Sequence, residues 1–361
     1  MRRLIFFPFL FLFIFSQAQN LSISILKLAP PELSNCTSVK DQYMSSTCWS
    51  FSSNSFLESE LIKMGKGNFD LSEMFVARYS MLRKIQRHLQ LKGENFFTPG
   101  GQFHDVMWVI KNYGIVPESV YSGKARGEYN HSHAEMDTVF SHFVKDCVSL
   151  GITKLNGEQN HFVDSVLDYY LGQVPKEFIY KEKKYSPQSF LMEVLGLNPN
   201  DYLEITSYTH HPFYKSFLLE DKYNWTGDAY YNVTMNDFSR ITDNALKQGY
   251  TVGWDGDAGD PDFHFYDGLA YLPQKIKDFQ KERQAAFENQ NTLLDHMMHI
   301  VSVSMDKYGK KWYYIKNSWG DYSNSSGGFL FMRDDYFKIR TVAIIVNKKA
   351  IPADIRKKLG L

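Results

Sequence analysis

An α+β protein of two lobes, helical in front and sheet-forming behind, with a cleft between them, is what this sequence predicts. Three observations predict it. Apolar residues in the first third recur at helical spacing. Beyond Asn236 the texture changes to short runs rich in β-branched and aromatic residues. Turn residues separate those runs, so helices and strands are segregated along the chain and do not alternate.

Taken in order, the chain opens on a leader. Arg2 and Arg3 form a positive start, Leu4 to Phe15 is apolar, and Ser16-Gln17-Ala18 offers the small residues that a signal peptidase reads. About twelve apolar residues fall short of the roughly 20 that span a bilayer, so residues 1–18 are expected to be an export signal and not a stable membrane anchor. The mature chain is then expected in a periplasmic or extracellular space. Residues 19–124 read as a helical lobe. A helix is predicted over 48–63, with Thr47 able to cap it, Trp49, Phe51, Phe56, Leu57, Leu61 and Ile62 on helical spacing, and Gly65 and Gly67 to stop it. Asp70-Leu71-Ser72-Glu73 marks a second helix start. Gly100-Gly101 breaks the chain, and a third helix is predicted over 104–113, ended by Gly114. Residues 125–235 read as a mainly helical insertion with turn signals at Asn198-Pro199-Asn200 and His211-Pro212. Residues 236–361 read as the β-rich lobe, with strands predicted over 250–254, 298–303, 311–316, 328–332 and 341–346.

Composition bounds the chemistry. The 361 residues are 43% hydrophobic and 22% charged, enough for a sizeable core. Forty basic residues balance forty acidic ones, so no nucleic-acid partner is expected. Cys36, Cys48 and Cys147 are an odd set; a Cys36–Cys147 disulfide is compatible with export, but nothing in the sequence demands it. Their spacing does not fit a zinc site. His210-His211 and His131-Ser132-His133 have no matching carboxylate or thiolate beside them, so they read as loop or packing histidines, and neither metal nor cofactor is expected.

One constellation carries chemistry. Cys48 sits in the first turn of the 48–63 helix, where unpaired backbone N–H groups and the helix dipole favour a thiolate. A thiolate needs a base that takes its proton and later delivers it to a leaving amine, and histidine has the right pKa. His296 stands at the entry of a predicted strand, and Asn317 follows the next one, so a hairpin can set them side by side with Asn317 orienting the imidazole. Gln42 can supply a side-chain N–H to an oxyanion, and the Cys48 backbone N–H a second. Gly100 and Gly101 offer a bare backbone edge for an extended peptide. Asp255 and Asp257 read as solvated loop acids, with a role near a substrate amine as the alternative.

Gln42, Cys48-Trp49-Ser50-Phe51, His296 and Asn317-Ser318-Trp319-Gly320 resemble the signature blocks of papain-like cysteine peptidases. Leu71-Ser72-Glu73, Gly100-Gly101, the stretch from Lys111 to Tyr121 and Phe263 to Gly268 are similar to the rest of that family, in the same order. The resemblance implies a papain-like fold, with a helical N-terminal lobe, an antiparallel sheet or barrel behind it and the active site in the cleft. It implies peptide substrates. Cys48 and His296 stand roughly 100 residues further apart than the roughly 130–150 of papain itself, and no propeptide fits between the leader and Gln42. Both features resemble the bleomycin hydrolase and aminopeptidase C branch, an exported bacterial member of which is the expectation. Ser46-Thr47 departs from the Gly-Ser or Gly-Arg usual there, and the chain is shorter. An aminopeptidase is the reading preferred; a papain-like endopeptidase and a catalytically silent peptide-binding protein stay open, as does a homo-oligomer. In that branch the C-terminal segment lies in the cleft, which would bring the carboxylate of Leu361 to the free amine of a bound peptide.

Overall fold

The helix expected over 48–63 runs Cys48–Lys63 in the computed structural model, which describes residues 21–361; the leader expected over 1–18 lies outside the described residues. From Trp49 to Leu61 this helix is buried on every side, because it lies between the other helices and the sheet. Its polar side chains are therefore inside, and several find partners there. Ser50 Oγ donates to the Glu73 carbonyl at 2.8 Å, and Asn347 Nδ2 donates to Glu60 Oε2 at 2.6 Å. Glu58 Oε1 accepts the Leu71 N–H at 2.9 Å. Thr47 precedes the helix but does not cap it as expected: its hydroxyl pairs with Ser45 Oγ instead.

Glu73–Gln90 starts where the sequence places it, with Ser72 Oγ accepting from the Phe75 N–H at 3.0 Å. Phe103–Tyr113 ends at Gly114, whose φ of +80° favours glycine and where a Cβ would lie 2.3 Å from the Pro187 carbonyl. Ala134–Ser149 and Gly157–Leu171 complete the helical lobe around Phe56, Phe75, Phe103 and Phe140.

The stretch 125–235 departs from the mainly helical reading. It carries the helices Ala134–Ser149 and Gly157–Leu171, a two-stranded hairpin of Phe178–Tyr180 with Lys183–Tyr185 and a helical stretch ending at Leu195, and then supplies three strands, Tyr202–Thr206, Ser216–Leu218 and Ala229–Asn232, to the main sheet. Tyr202–Thr206 pairs with Thr341–Asn347, near the far end of the chain, a partner that local periodicity cannot reveal. The ten-stranded sheet runs in the order Ser216–Leu218, Ala229–Asn232, Tyr202–Thr206, Thr341–Asn347, Val252–Gly256, His296–Met305, Lys311–Lys316, Phe329–Arg333, Leu269–Ala270, Phe263–His264. Its pairs are antiparallel except two, Tyr202–Thr206 with Ala229–Asn232 and Phe329–Arg333 with Leu269–Ala270, so the expected antiparallel sheet is mixed towards both ends. Trp254, Ile300 and Tyr313 form its core with Phe238 and Ile241 of the helix Met235–Lys247. The two lobes meet along the nucleophile helix: Ser52 Oγ donates to the Met298 carbonyl at 2.6 Å, and Ser55 Oγ lies 2.8 Å from His299 Nδ1. The cleft opens at one end of that seam. Among the described residues no helix is long and apolar enough to cross a membrane.

Candidate active site

Helix, strand and loop each deliver one part of the site. Cys48 is the first residue of its helix and is partly exposed to the cleft. His296 is the first residue of its strand, and Gly256 is its cross-strand partner. Asn317 directly follows Lys311–Lys316, the antiparallel neighbour of the histidine strand, so the hairpin brings the two side chains together as expected. His296 Nε2 donates to Asn317 Oδ1 at 2.7 Å, which fixes the ring and leaves Nδ1 as the nitrogen free to exchange a proton. Trp319 packs over this bond, its ring 4.7 Å from the imidazole, and Phe265 holds Trp319 edge-on at 4.7 Å. His299, the competing histidine, is fully buried on Ser55 and faces away.

Gln42 is oriented by a residue that sequence reasoning passed over. Ser318 Oγ donates to Gln42 Oε1 at 2.7 Å, and the Ser318 carbonyl accepts the Gln42 backbone N–H at 2.8 Å. With its oxygen occupied, the amide is left with Nε2 as the donor it can present to the cleft. The signal was available, since Ser318 lies inside the Asn-Ser-Trp-Gly block. Gln42, Cys48, Gly100, Gly101, His296 and Trp319 line one cleft of about 340 Å³. A larger hollow of about 1060 Å³ lies beside Cys36 and Lys40, but Cys48 and His296 are not among its walls, so size does not single out the site.

The electrostatics bear on Cys48 and His296 together. Burial pushes the Cys48 thiol up to about 12, against hydrogen bonds from the Met297 and Trp49 backbones that act the other way. Burial also pushes His296 down to about 4, and Asn317 only partly offsets it. Burial thus disfavours the lone charge on either group. Proton transfer from sulfur to imidazole would create the two opposite charges together within the one cleft that both residues line, where each offsets the other's desolvation.

Gly101 lies against Trp49, whose Nε1 donates to the Pro99 carbonyl at 3.1 Å; a Cβ on Gly101 would stand 2.8 Å from the indole. Lys84, which the sequence did not flag, is buried and donates to the carbonyls of Thr98 and Gly100, tethering this edge from behind. Leu361 is not brought to the site. The helix Ala353–Leu359 is pinned to Met235–Lys247 by Lys358 on Asp237 at 2.8 Å and Arg240 on Asp354 at 3.0 Å, so the chain end turns away and is not among the cleft walls. Asp255 is not a solvated acid either: it is fully buried and lines the cleft. Asp257 is buried too, accepting the Leu293 N–H at 2.8 Å.

Cys36, Cys48 and Cys147 are all free thiols. His131 and His133 are buried, and burial depresses both, to about 3 and about 4, as befits packing residues. His210 and His211 do have a carboxylate: Glu220, distant from them in no obvious sequence pattern, lies 3.1 and 2.6 Å from their Nε2 atoms. His210 Nδ1 accepts from Gln284 Nε2 at 2.9 Å, which puts the His210 proton on Nε2 facing Glu220.

Comparison with known proteins agrees with this geometry. The Peptidase C1-like family profile matches residues 31–360. Aminopeptidase C of Lactobacillus delbrueckii subsp. lactis is 26% identical over 369 residues, covering 89% of this chain and 81% of the relative. Aminopeptidase C of Streptococcus thermophilus is 24% identical, covering 94% and 85%. The crystal structure of PepW from Lactobacillus rhamnosis HN001 shares the fold, with a TM-score of 0.72 at 19% identity over 92% of this chain and 85% of that one. With the match running across nearly all the described residues, the chain belongs to the Peptidase C1-like family.

Proposed function

We propose that the protein is a cysteine-type aminopeptidase that hydrolyses peptide bonds through a thioester on Cys48. One observation carries the reading: Cys48 at a helix N-terminus shares a cleft with a His296 oriented by Asn317 and a Gln42 amide oriented by Ser318. In this reading Cys48 Sγ gives its proton to His296 and attacks the scissile carbonyl carbon. The oxyanion is met by Gln42 Nε2 and the Cys48 backbone N–H. The imidazolium returns the proton to the departing amine, and water, deprotonated by the same histidine, releases the acyl group. The aminopeptidase names of the relatives support the exopeptidase choice. The position of Leu361 favours the endopeptidase alternative, because the tail does not close the cleft. The positive, apolar N-terminal run supports export of the enzyme.

The test is a product profile on peptides with free and N-acetylated ends, for wild type and Cys48→Ala. Stepwise release from free N-termini by the wild type, lost in a folded Cys48→Ala variant, is expected. Internal cleavage would transfer the assignment to an endopeptidase, and full activity of the alanine variant would end the peptidase reading.

A further inference from the structure

The cleft contains a carboxylate that the mechanism above does not use. Asp255 lies in Val252–Gly256, one residue before the cross-strand partner of His296. Its own partner is Met297, so the two side chains share a face of the sheet, and both line the cleft with Cys48. Asp255 is completely buried, yet neither carboxyl oxygen has a partner at good hydrogen-bond geometry among the described residues, the Gly256 backbone N–H being the one donor that acts on it. Buried carboxylates without partners are costly, and such a group at a binding cleft calls for a ligand that supplies the missing donors. Of the other acids at this end of the sheet, Asp295 is engaged through both oxygens and Asp257 through one. Asp295 accepts the N–H groups of Ala258 and Gly259 at 2.8 and 3.1 Å, and Asp257 accepts that of Leu293.

Resting on the peptidase reading of the same cleft, we infer that Asp255 receives a substrate ammonium group, and thereby selects substrates that carry one just ahead of the scissile bond. A peptide paired along Gly100–Gly101 with its scissile carbonyl at Cys48 lies between that edge and the Asp255–Met297 pair. A free α-amine ending there meets a carboxyl group with no side-chain partner among the described residues, and once the group ionises beside the ammonium the hydrogen bonds are charge-assisted, the strong kind. Burial first, then the neighbouring Glu204, Asp221 and Asp295, raises the Asp255 carboxyl well above the ordinary range against the Gly256 backbone N–H, so the free enzyme holds it protonated, and an arriving ammonium favours its ionised form, the carboxyl proton passing to solvent. Asp255 would then do the work that a C-terminal carboxylate in the cleft was expected to do, from within the sheet.

The ammonium has two sources, a chain terminus or a lysine side chain, and the test separates them. Peptidyl amides with a fluorescent leaving amine are offered with one or two residues ahead of it. Each is made with a free amine, N-acetylated, and N-acetylated with lysine second from the scissile bond. The wild type is expected to favour ammonium-bearing substrates at least tenfold in kcat/KM. Asp255→Asn should shrink that ratio about ten- to a hundredfold, and Asp255→Glu should restore part of it. Whichever ammonium substrate loses its advantage identifies the source. An unchanged ratio in Asp255→Asn, or equal loss on neutral and cationic substrates, overturns the inference while the peptidase reading survives. Should Asp255→Asn not fold, Asp255→Ser, smaller and neutral, gives the same comparison. A wild type that cleaves none of the substrates would instead sink the peptidase reading.

Discussion

Gln42 has its oxygen tied to Ser318 and its N–H groups free, the posture of an oxyanion donor. Gln42→Ala should therefore lower kcat about ten- to a thousandfold with little change in KM, since the donor acts mainly in the transition state. A rise in KM alone would assign Gln42 to ground-state binding. Gly101 and Gly100 make a sharper pair. A Cβ on Gly101 strikes the Trp49 ring at 2.8 Å, whereas on Gly100 it finds only Tyr223 at 3.6 Å. Gly101→Ala should shift the indole and the cleft wall and lower kcat/KM about a hundredfold, while Gly100→Ala keeps its thermal midpoint and loses less. Equal losses would show that the edge itself, and not the Trp49 contact, sets the constraint. At this scale the arrangement of the candidate site was mostly legible. Cys48, His296, Asn317 and Gln42 each stand in a short motif whose chemistry demands that residue type. The solvated-loop reading of Asp255 fails because a lone Asp between tryptophan and glycine looks like a loop acid until a strand on either side buries it; the alternative, a place near a substrate amine, is the one the buried position leaves open.

The elements are locked to one another by buried polar pairs, and one pair ties stability to pH. His104, near the start of Phe103–Tyr113, places Nδ1 3.0 Å from Glu204 of Tyr202–Thr206. Burial alone would depress this histidine, but Glu204 and Asp105 carry it up from 6.5 to about 9. The folded value exceeds the unfolded one, so the stabilisation is whole below about pH 6.5 and is lost as pH rises through about 9. His104→Gln should cost about 1–3 kcal/mol near neutrality. It should also flatten the fall in thermal midpoint between pH 7 and 9.5. A wild-type midpoint that rises across that window relative to the variant would refute the assignment. Helix boundaries were legible because caps and glycine stops are local, as at Ser72 and Gly114. The nucleophile helix was read from a diffuse pattern, for a helix buried on all sides has no polar stripe to give its period.

For the molecule as a whole, the sheet is assembled from strands far apart in sequence, and so is the fate of the chain end. Two lobes could be read from the segregation of helix and strand signals, but the recruitment of residues 202–232 to the sheet could not, since their partner is Thr341–Asn347. The same distant assembly fixes the C-terminus. Ile355 and Leu359 are buried in the sheet core beside Phe238 and Ile241, and Lys358 and Asp354 are paired to the helix beneath. Gly360 then turns left-handed at φ +75°, and the Leu361 N–H caps the Arg356 carbonyl at 3.0 Å. An end held this way closes a helix and does not reach the cleft. Deleting Gly360 and Leu361 should therefore leave the preference between free and N-acetylated peptides as it is in the full chain. Deleting 353–361 removes two buried aliphatic side chains and should destabilise the fold by about 3–6 kcal/mol, read as a lower denaturation midpoint, with the preference of the surviving folded enzyme again unchanged. If loss of the last two residues alone abolished selection of free amines, the tail would have to reach the active site in solution. The carboxylate that selects them would then be that of Leu361, not of Asp255.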